Sequence, residues 1–281
     1  MNLKEIYNNG LKISFEIFPP KEQDKYQNLL KELDNLKKYK PAFVSLTCGA
    51  GGSNSGDSKT LLNSITASSL EVMPHFTCVC SSKDFVLEHL KYLEENHIKN
   101  ILALRGDIPE DKTLCCHDFS YANELVEFIK ANSNLSIGVA GYPEGHIEAE
   151  TLEIDIKNLK KKIYAGADAI FTQLFFDNNK FFKYIDIVRK ENISIPIVPG
   201  IMPIISKKQI YKMLKLARIT IPEKLAEKIN KFENSNSDMK KLGIEYTISQ
   251  CENLIKEGVC GIHFYTLNKS DSIKEILDNI L

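Results

Sequence analysis

Eight short runs rich in β-branched and aromatic residues recur along the chain at an almost even pitch. They are KISFEIF from Lys12, AFVSLT from Ala42, EVMPHFTCV from Glu71, NILALRGD from Asn100, SIGVAGYP from Ser136, AIFTQLFF from Ala169, IPIVPGIM from Ile195 and GIHFYTL from Gly261. Between them the apolar residues step by three and four, as in Tyr26, Leu29, Leu30, Leu33 and Leu36, or Leu152, Ile156, Leu159 and Ile163, the mark of one-sided helices. Seven starts fall about 30 residues apart, the length of one βα unit, and the wider interval before the eighth holds helical stretches around 206–217 and 238–257. Strict alternation of strand and helix requires a parallel sheet covered by helices. Eight such units in 281 residues fit an α/β fold of the single (β/α)8 TIM barrel type better than an open doubly wound sheet. No Pro/Gly/Ser-rich linker divides the chain, so one domain is expected over 1–281, with Asn234 to Asp238 as its flexible loop.

Composition narrows the partners. With 36 basic against 37 acidic side chains, a net charge of -1 and no Lys/Arg block, the chain lacks the electrostatic footprint of a nucleic-acid or anionic-membrane binder. No apolar run approaches the ~18 residues of a membrane span. Met1 to Gly10 has no apolar h-region, so no signal peptide is expected and the cytoplasm is the expected compartment. The cysteines, Cys48, Cys78, Cys80, Cys115, Cys116, Cys251 and Cys260, are odd in number and contain no CxxC pair. That argues against a disulfide framework and a zinc module; reduced thiols and no metal site are expected.

Polar residues inside buried parallel strands need a reason. Ser14 and Glu16, Ser45 and Thr47, His75 and Thr77, Arg105 and Asp107, then Tyr142 and Gln173, sit late in their strands. Spacing by two puts each strand's pair on one face, at the end where such barrels carry their active sites. Glu16 lies between Phe15 and Ile17, and a carboxyl held among apolar groups is expected to have a raised pKa suited to a general acid. Asp107, after Arg105 and Gly106, reads as an ionised carboxylate on a loop that admits a ligand. Thr151, Asp155, Asn158 and Lys162 form one stripe of the helix after strand five. On spacing alone that stripe is either a solvated face or, with Lys161, a grip for phosphate. No GxGxxG or GxxxxGK[ST] sequence is present, which leaves Rossmann and Walker sites without support.

In order, the strand ends read SFEIFPPK at 14–21, FVSLTCGA at 43–50, PHFTCV at 74–79, LALRGDIP at 102–109, AGYPEGH at 140–146, FTQLFFD at 171–177, PGIMPI at 199–204 and HFYTLN at 263–268. This ordered set resembles the methylenetetrahydrofolate reductase family from about Ile13 to Asn268. The resemblance implies a barrel that holds FAD noncovalently, takes a hydride from NAD(P)H and passes it to 5,10-methylenetetrahydrofolate in a ping-pong scheme. It implies Glu16 as general acid, Asp107 as a carboxylate near flavin and folate, and Gln173 as a contact to substrate and nicotinamide. FAD contacts are implied at Thr47, Cys48, Ala50, His75, Arg105, Gly106, Asp107, Ala122, Tyr142, His146, Ala149, Asp155, Asn158, Lys161 and Lys162, and folate contacts at Thr47, Asp107, Gln173, Gln209 and Lys269.

The chain departs from the family pattern at Cys48, where bacterial members often carry Tyr, and at Lys269, where they often carry Arg. The implied partners are the folate, NAD(P)H and further copies of the chain, with association with another redox subunit left open. Leu281 follows soon after strand eight, so the regulatory domain of eukaryotic members, and S-adenosylmethionine control with it, is not expected. Two rival readings stay open: another flavin-barrel oxidoreductase, similar to proline dehydrogenase, and a non-catalytic folate- or flavin-binding subunit. Intact Glu16, Asp107 and Gln173 favour the enzyme.

Overall fold

The computed structural model describes residues 1–20, 22, 25–47, 55–108, 118–233 and 235–281, without the side chains of 55–58 and 216. Cys48, Ala50, Cys115 and Cys116 lie outside these residues, as does Asn234.

Every expected strand forms: β1 (Lys12–Ile17), β2 (Val44–Leu46), β3 (Val72–Thr77), β4 (Asn100–Leu104), β5 (Ser136–Gly141), β6 (Ala169–Thr172), then β7 (Ile197–Val198), β8 (Gly200–Ile201) and β9 (Gly261–Tyr265). Their order is β7-β6-β5-β4-β3-β2-β1-β9-β8, and each neighbouring pair is parallel. Because β7 and β8 are one strand broken at Pro199, whose carbonyl accepts from His263 N at 2.9 Å, the ring closes as an eight-stranded barrel. Helices follow the strands: α2 (Lys25–Lys37), α3 (Ser55–Ala67), α4 (Lys83–Glu95), α5 (Ala122–Asn132), α6 (Leu152–Tyr164), α7 (Asn178–Lys190), then α8 (Lys207–Leu216) and α10 (Asn236–Lys256), both between β8 and β9, and α11 (Asp271–Ile280). Two more stand apart from the alternation, α1 (Leu3–Tyr7) before the barrel and α9 (Glu223–Lys231) between α8 and α10.

Strand alternation sorts the side chains. Ile13, Phe15 and Ile17 face outward onto Leu29, Leu33 and Leu36 of α2; each such buried side chain contributes roughly 1.5–3 kcal/mol. Phe43, Met73, Leu102, Phe171 and Val198 pack with Leu3, Ile6 and Tyr7 of α1. That short helix sits at the strands' N-terminal ends: Leu3 N donates to Ser136 Oγ at 3.2 Å, and Lys4 Nζ lies 3.0 Å from Asp168 Oδ1. Asp168 in turn accepts from Ser136 Oγ and Ile137 N.

A satellite apolar cluster (Leu174, Phe176, Met202, Ile204, Ile210, Leu225, Ile229, Met239 and Leu242) ties α8, α9 and α10 to the loops after β6 and β8. Gly243 is required there, since a Cβ would fall on the Ile204 carbonyl. Two expectations are corrected. Asn236 to Asp238 are the first turn of α10, capped by Ser235 Oγ accepting from Asp238 N at 3.3 Å, because a Ser/Asn/Asp run caps helices as readily as it makes loops. Cys80 is disulfide-bonded, whereas Cys78, Cys251 and Cys260 are free. An odd count still allows a bridge, and spacing in sequence does not record proximity in the fold.

Candidate active site

At the strands' C-terminal ends the barrel interior turns polar. Strand register sets Ser14 beside His263, and Glu16 between Ser45 and Tyr265. Glu16, with 21% of its side chain exposed, presents Oε2 at 3.6 Å from His75 Nε2 and 3.8 Å from His263 Nε2. Ser14 Oγ bonds His263 Nδ1 at 2.8 Å, and Ser45 Oγ bonds His75 Nε2. Burial lowers His75 to about 4, so its ring is neutral near pH 7. Glu16 is therefore set among imidazoles, not among the Phe15 and Ile17 side chains expected to surround it, because neighbours in sequence point to opposite faces of a strand.

This carboxylate lines a cavity of about 390 Å³ together with Thr47, His75, Gln173 and His263. Gln173 Oε1 accepts from Leu174 N at 2.9 Å, which leaves its amide nitrogen as the donor toward the opening. Leu104, Phe171, Leu174 and Met202 make the walls apolar.

Through Leu104, Ala140 and Tyr142 the central cavity adjoins one of about 780 Å³. Its lining brings together eleven of the residues expected around FAD: Arg105, Gly106 and Asp107 just past β4, Ala122 on α5, Tyr142, His146 and Ala149 after β5, and Asp155, Asn158, Lys161 and Lys162 on α6. Gly106, at φ +87, admits no side chain: a Cβ would lie 2.9 Å from Thr77 Cβ and Val79 Cγ1. The two lysines differ. Lys161 is exposed and bonds Asn158 Oδ1 at 3.3 Å, whereas Lys162 turns inward and donates to Ala140 O at 2.6 Å. Burial lowers Lys162 to about 8, opposed by the charge of Asp155, and burial raises Asp155 itself. Tyr142, pushed up to about 12 by burial, meets the His146 ring edge-on at 4.7 Å.

On the other side, Tyr265, Thr266 and Leu267 are shared with a cavity of about 270 Å³ that contains Gln209 and Lys269. Gln209 spans the loop before α8, donating to Pro203 O at 3.1 Å and accepting from Ile205 N at 2.9 Å. Lys269 is exposed, and Lys240 of α10 lines the same recess. Cys48 and Ala50 lie outside the described residues.

Three residues escaped the sequence reading. His263 lies in the quoted HFYTLN run, and its signal was a histidine inside a buried strand. Glu148 sits in a charged tract that reads as solvated. Glu144, its side chain 6% exposed, bonds Lys180 Nζ, Thr220 Oγ1 and Thr220 N and so fixes the loop that carries Tyr142 and His146.

Residues 2–281 match the family model for methylenetetrahydrofolate reductase. The chain belongs to the methylenetetrahydrofolate reductase family. It is 37% identical to the 5,10-methylenetetrahydrofolate reductase of Buchnera aphidicola subsp. Schizaphis graminum over 276 residues, 97% of this chain and 92% of that one. It is 36% identical to methylenetetrahydrofolate reductase 1 of Schizosaccharomyces pombe over 273 residues, 95% of this chain, and spans 45% of that longer protein. Among solved structures the fold is shared with an uncharacterized Clostridium thermocellum protein that binds two copies of 5-methyl-5,6,7,8-tetrahydrofolic acid, at a TM-score of 0.69, 14% identity and coverage of 98% of this chain and 96% of that one. No helix among the described residues is long and apolar enough to cross a membrane.

Proposed function

We propose that this member of the family reduces 5,10-methylenetetrahydrofolate to 5-methyltetrahydrofolate, with NAD(P)H as hydride donor, FAD as the bound relay and the two substrates occupying one site in turn. The observation that carries this reading is the position of Glu16, between a long cavity that carries Arg105, Lys161 and Lys162 and a shorter recess lined by Gln209 and Lys269. The larger cavity, about 780 Å³, has the size and the donors a dinucleotide needs. Arg105, Lys161 and Lys162 suit a pyrophosphate, and the lowered pKa of Lys162 marks a buried ammonium that an anion would stabilise. FAD bound there supplies a two-electron hydride acceptor and donor.

The chain's own groups account for the rest. Glu16 gives a proton to the amine nitrogen that leaves as the folate's five-membered ring opens, a leaving group too basic to depart unprotonated. Neutral His75 and the Ser14-held His263 flank that carboxyl at 3.6 and 3.8 Å. Asp107, exposed at the rim, sets a negative charge beside the flavin, and the Gln173 amide orients the substrate. Phe171, Leu174 and Met202 keep water from the reacting carbon. Lys269, with Gln209 shaping the loop beside it, takes the glutamate end of the folate by charge. The test is the absorbance of the purified protein under anaerobic conditions: a flavin band bleached by NADH or NADPH and restored by methylenetetrahydrofolate is expected. A colourless protein that binds no FAD removes the reading.

A further inference from the structure

The lining of the larger cavity includes an ion pair. Arg105 Nη1 and Nη2 reach Glu148 Oε2 and Oε1 at 2.5 and 2.8 Å, a two-pronged contact of the strong, directional kind. Glu148 is 55% exposed and Arg105 19%, so the carboxylate comes from the solvent side to a guanidinium seated in the wall. The pair holds the Glu148 carboxyl below its ordinary range.

The lining as a whole carries no excess of positive charge. Three cations, Arg105, Lys161 and Lys162, face four carboxylates, Asp107, Glu124, Glu148 and Asp155. Two of those carboxylates have other duties: Glu124 accepts from Ser120 N and Tyr121 N at the start of α5, and Asp155 is buried and acts on Lys162. Asp107 forms no ion pair or hydrogen bond among the described residues. Among the described residues of the lining, Glu148 is the carboxylate that makes an ion pair with one of the cations a pyrophosphate would need. Its backbone is pinned by Glu148 N donating to His146 Nδ1 at 3.2 Å, while its side chain is open to water on the side away from Arg105.

We propose that Glu148 is a built-in competitor for the anion position of the cofactor cavity: its carboxylate takes both guanidinium nitrogens of Arg105 in the cofactor-free protein and yields them to the cofactor's pyrophosphate. This rests on the FAD reading above. The residue thereby sets cofactor affinity, since part of the contact energy between pyrophosphate and Arg105 goes to displacing a charge-assisted pair already made.

Equilibrium dialysis of the full chain against FAD, ADP and riboflavin tests this in wild type and in Glu148→Gln, with Glu257→Gln, an exposed position outside the cavity, matching the change in net charge. Glu148→Gln is expected to bind FAD and ADP about tenfold more tightly and to leave riboflavin, which lacks phosphate, unchanged. Glu257→Gln is expected to match wild type. Weaker FAD binding in Glu148→Gln would show that the carboxylate supports Arg105 and overturn the proposal, as would an equal gain for riboflavin or no change. A wild type that binds no FAD removes the cofactor reading itself, and the competitor role with it.

Discussion

Ser14 Oγ and His263 Nδ1 meet at 2.8 Å across 249 residues of chain, where the first and last strands of the barrel close the ring. The contact spends one nitrogen of an imidazole that is 1% exposed and leaves the other, Nε2, without a hydrogen-bond partner among the described residues and 3.8 Å from Glu16 Oε2. A buried unsatisfied nitrogen costs stability, and here it stands beside the group proposed to move a proton.

Ser14→Ala leaves both ring nitrogens of a buried histidine without a partner. A loss of about 1–3 kcal/mol is expected from urea unfolding at unchanged m. An unchanged midpoint would mean that the ring is held by Phe43 and Phe171 alone.

Glu16→Gln keeps the shape and removes the acid. Near-normal FAD content and flavin reduction by nicotinamide are expected, with reoxidation by methylenetetrahydrofolate slowed by about 100-fold or more. Stopped-flow absorbance near ~450 nm, the band expected of oxidised FAD, follows the halves separately. An unslowed folate half-reaction would strip Glu16 of its role.

Lys162, lowered from 10.5 to about 8, gives the sign of a pH effect. Between those values the unfolded chain holds more protons on this group than the folded one, so its contribution to stability rises with pH over that window. Below pH 8 the buried ammonium costs the fold. Lys162→Met removes this contribution, so the stability difference between the two proteins should move in favour of wild type as pH rises from about 8 to about 10. FAD affinity needs the charged form, so in wild type it should weaken above about pH 8, by no more than about tenfold per unit; in Lys162→Met this lysine-dependent weakening should be absent. Parallel pH profiles for the two proteins would place the phosphates elsewhere.

Asp107→Asn removes a negative charge from the cavity rim. A carboxylate near the flavin ring disfavours the anionic reduced form, so the variant's midpoint potential should rise. Potentiometric titration of the folded variant reads it directly; no shift would put Asp107 away from the ring.

All eight barrel strands were legible because buried parallel strands leave long apolar runs, and their polar ends stood out against them. The split of the seventh strand was less so, for Pro199 interrupts pairing without altering the apolar run around it. Helix α9 was missed because Leu225 and Ile229 alone make a stripe too narrow to separate from a lysine- and glutamate-rich loop. At the site, the residues on α6 and after β4 line one cavity. What sequence spacing could not give was orientation: Lys161 and Lys162 are adjacent, yet one lies in solvent and the other under Tyr142. Pairings between separate elements, such as Arg105 with Glu148 and Glu144 with Lys180, leave no mark of periodicity at all.

Helix α1 gives the barrel two unlike ends. Its Leu3, Ile6 and Tyr7 stopper the end opposite the cavities, and its anchors, Ser136 and Asp168, belong to the start of β5 and the residue just before β6. The helix has no seat until those strands have paired, so it is a late closure that depends on the middle of the chain. Damage to that stopper should be felt throughout the body as lost cooperativity, while a bulky group fused ahead of Met1 would hang beneath the barrel and leave the path of ligands open.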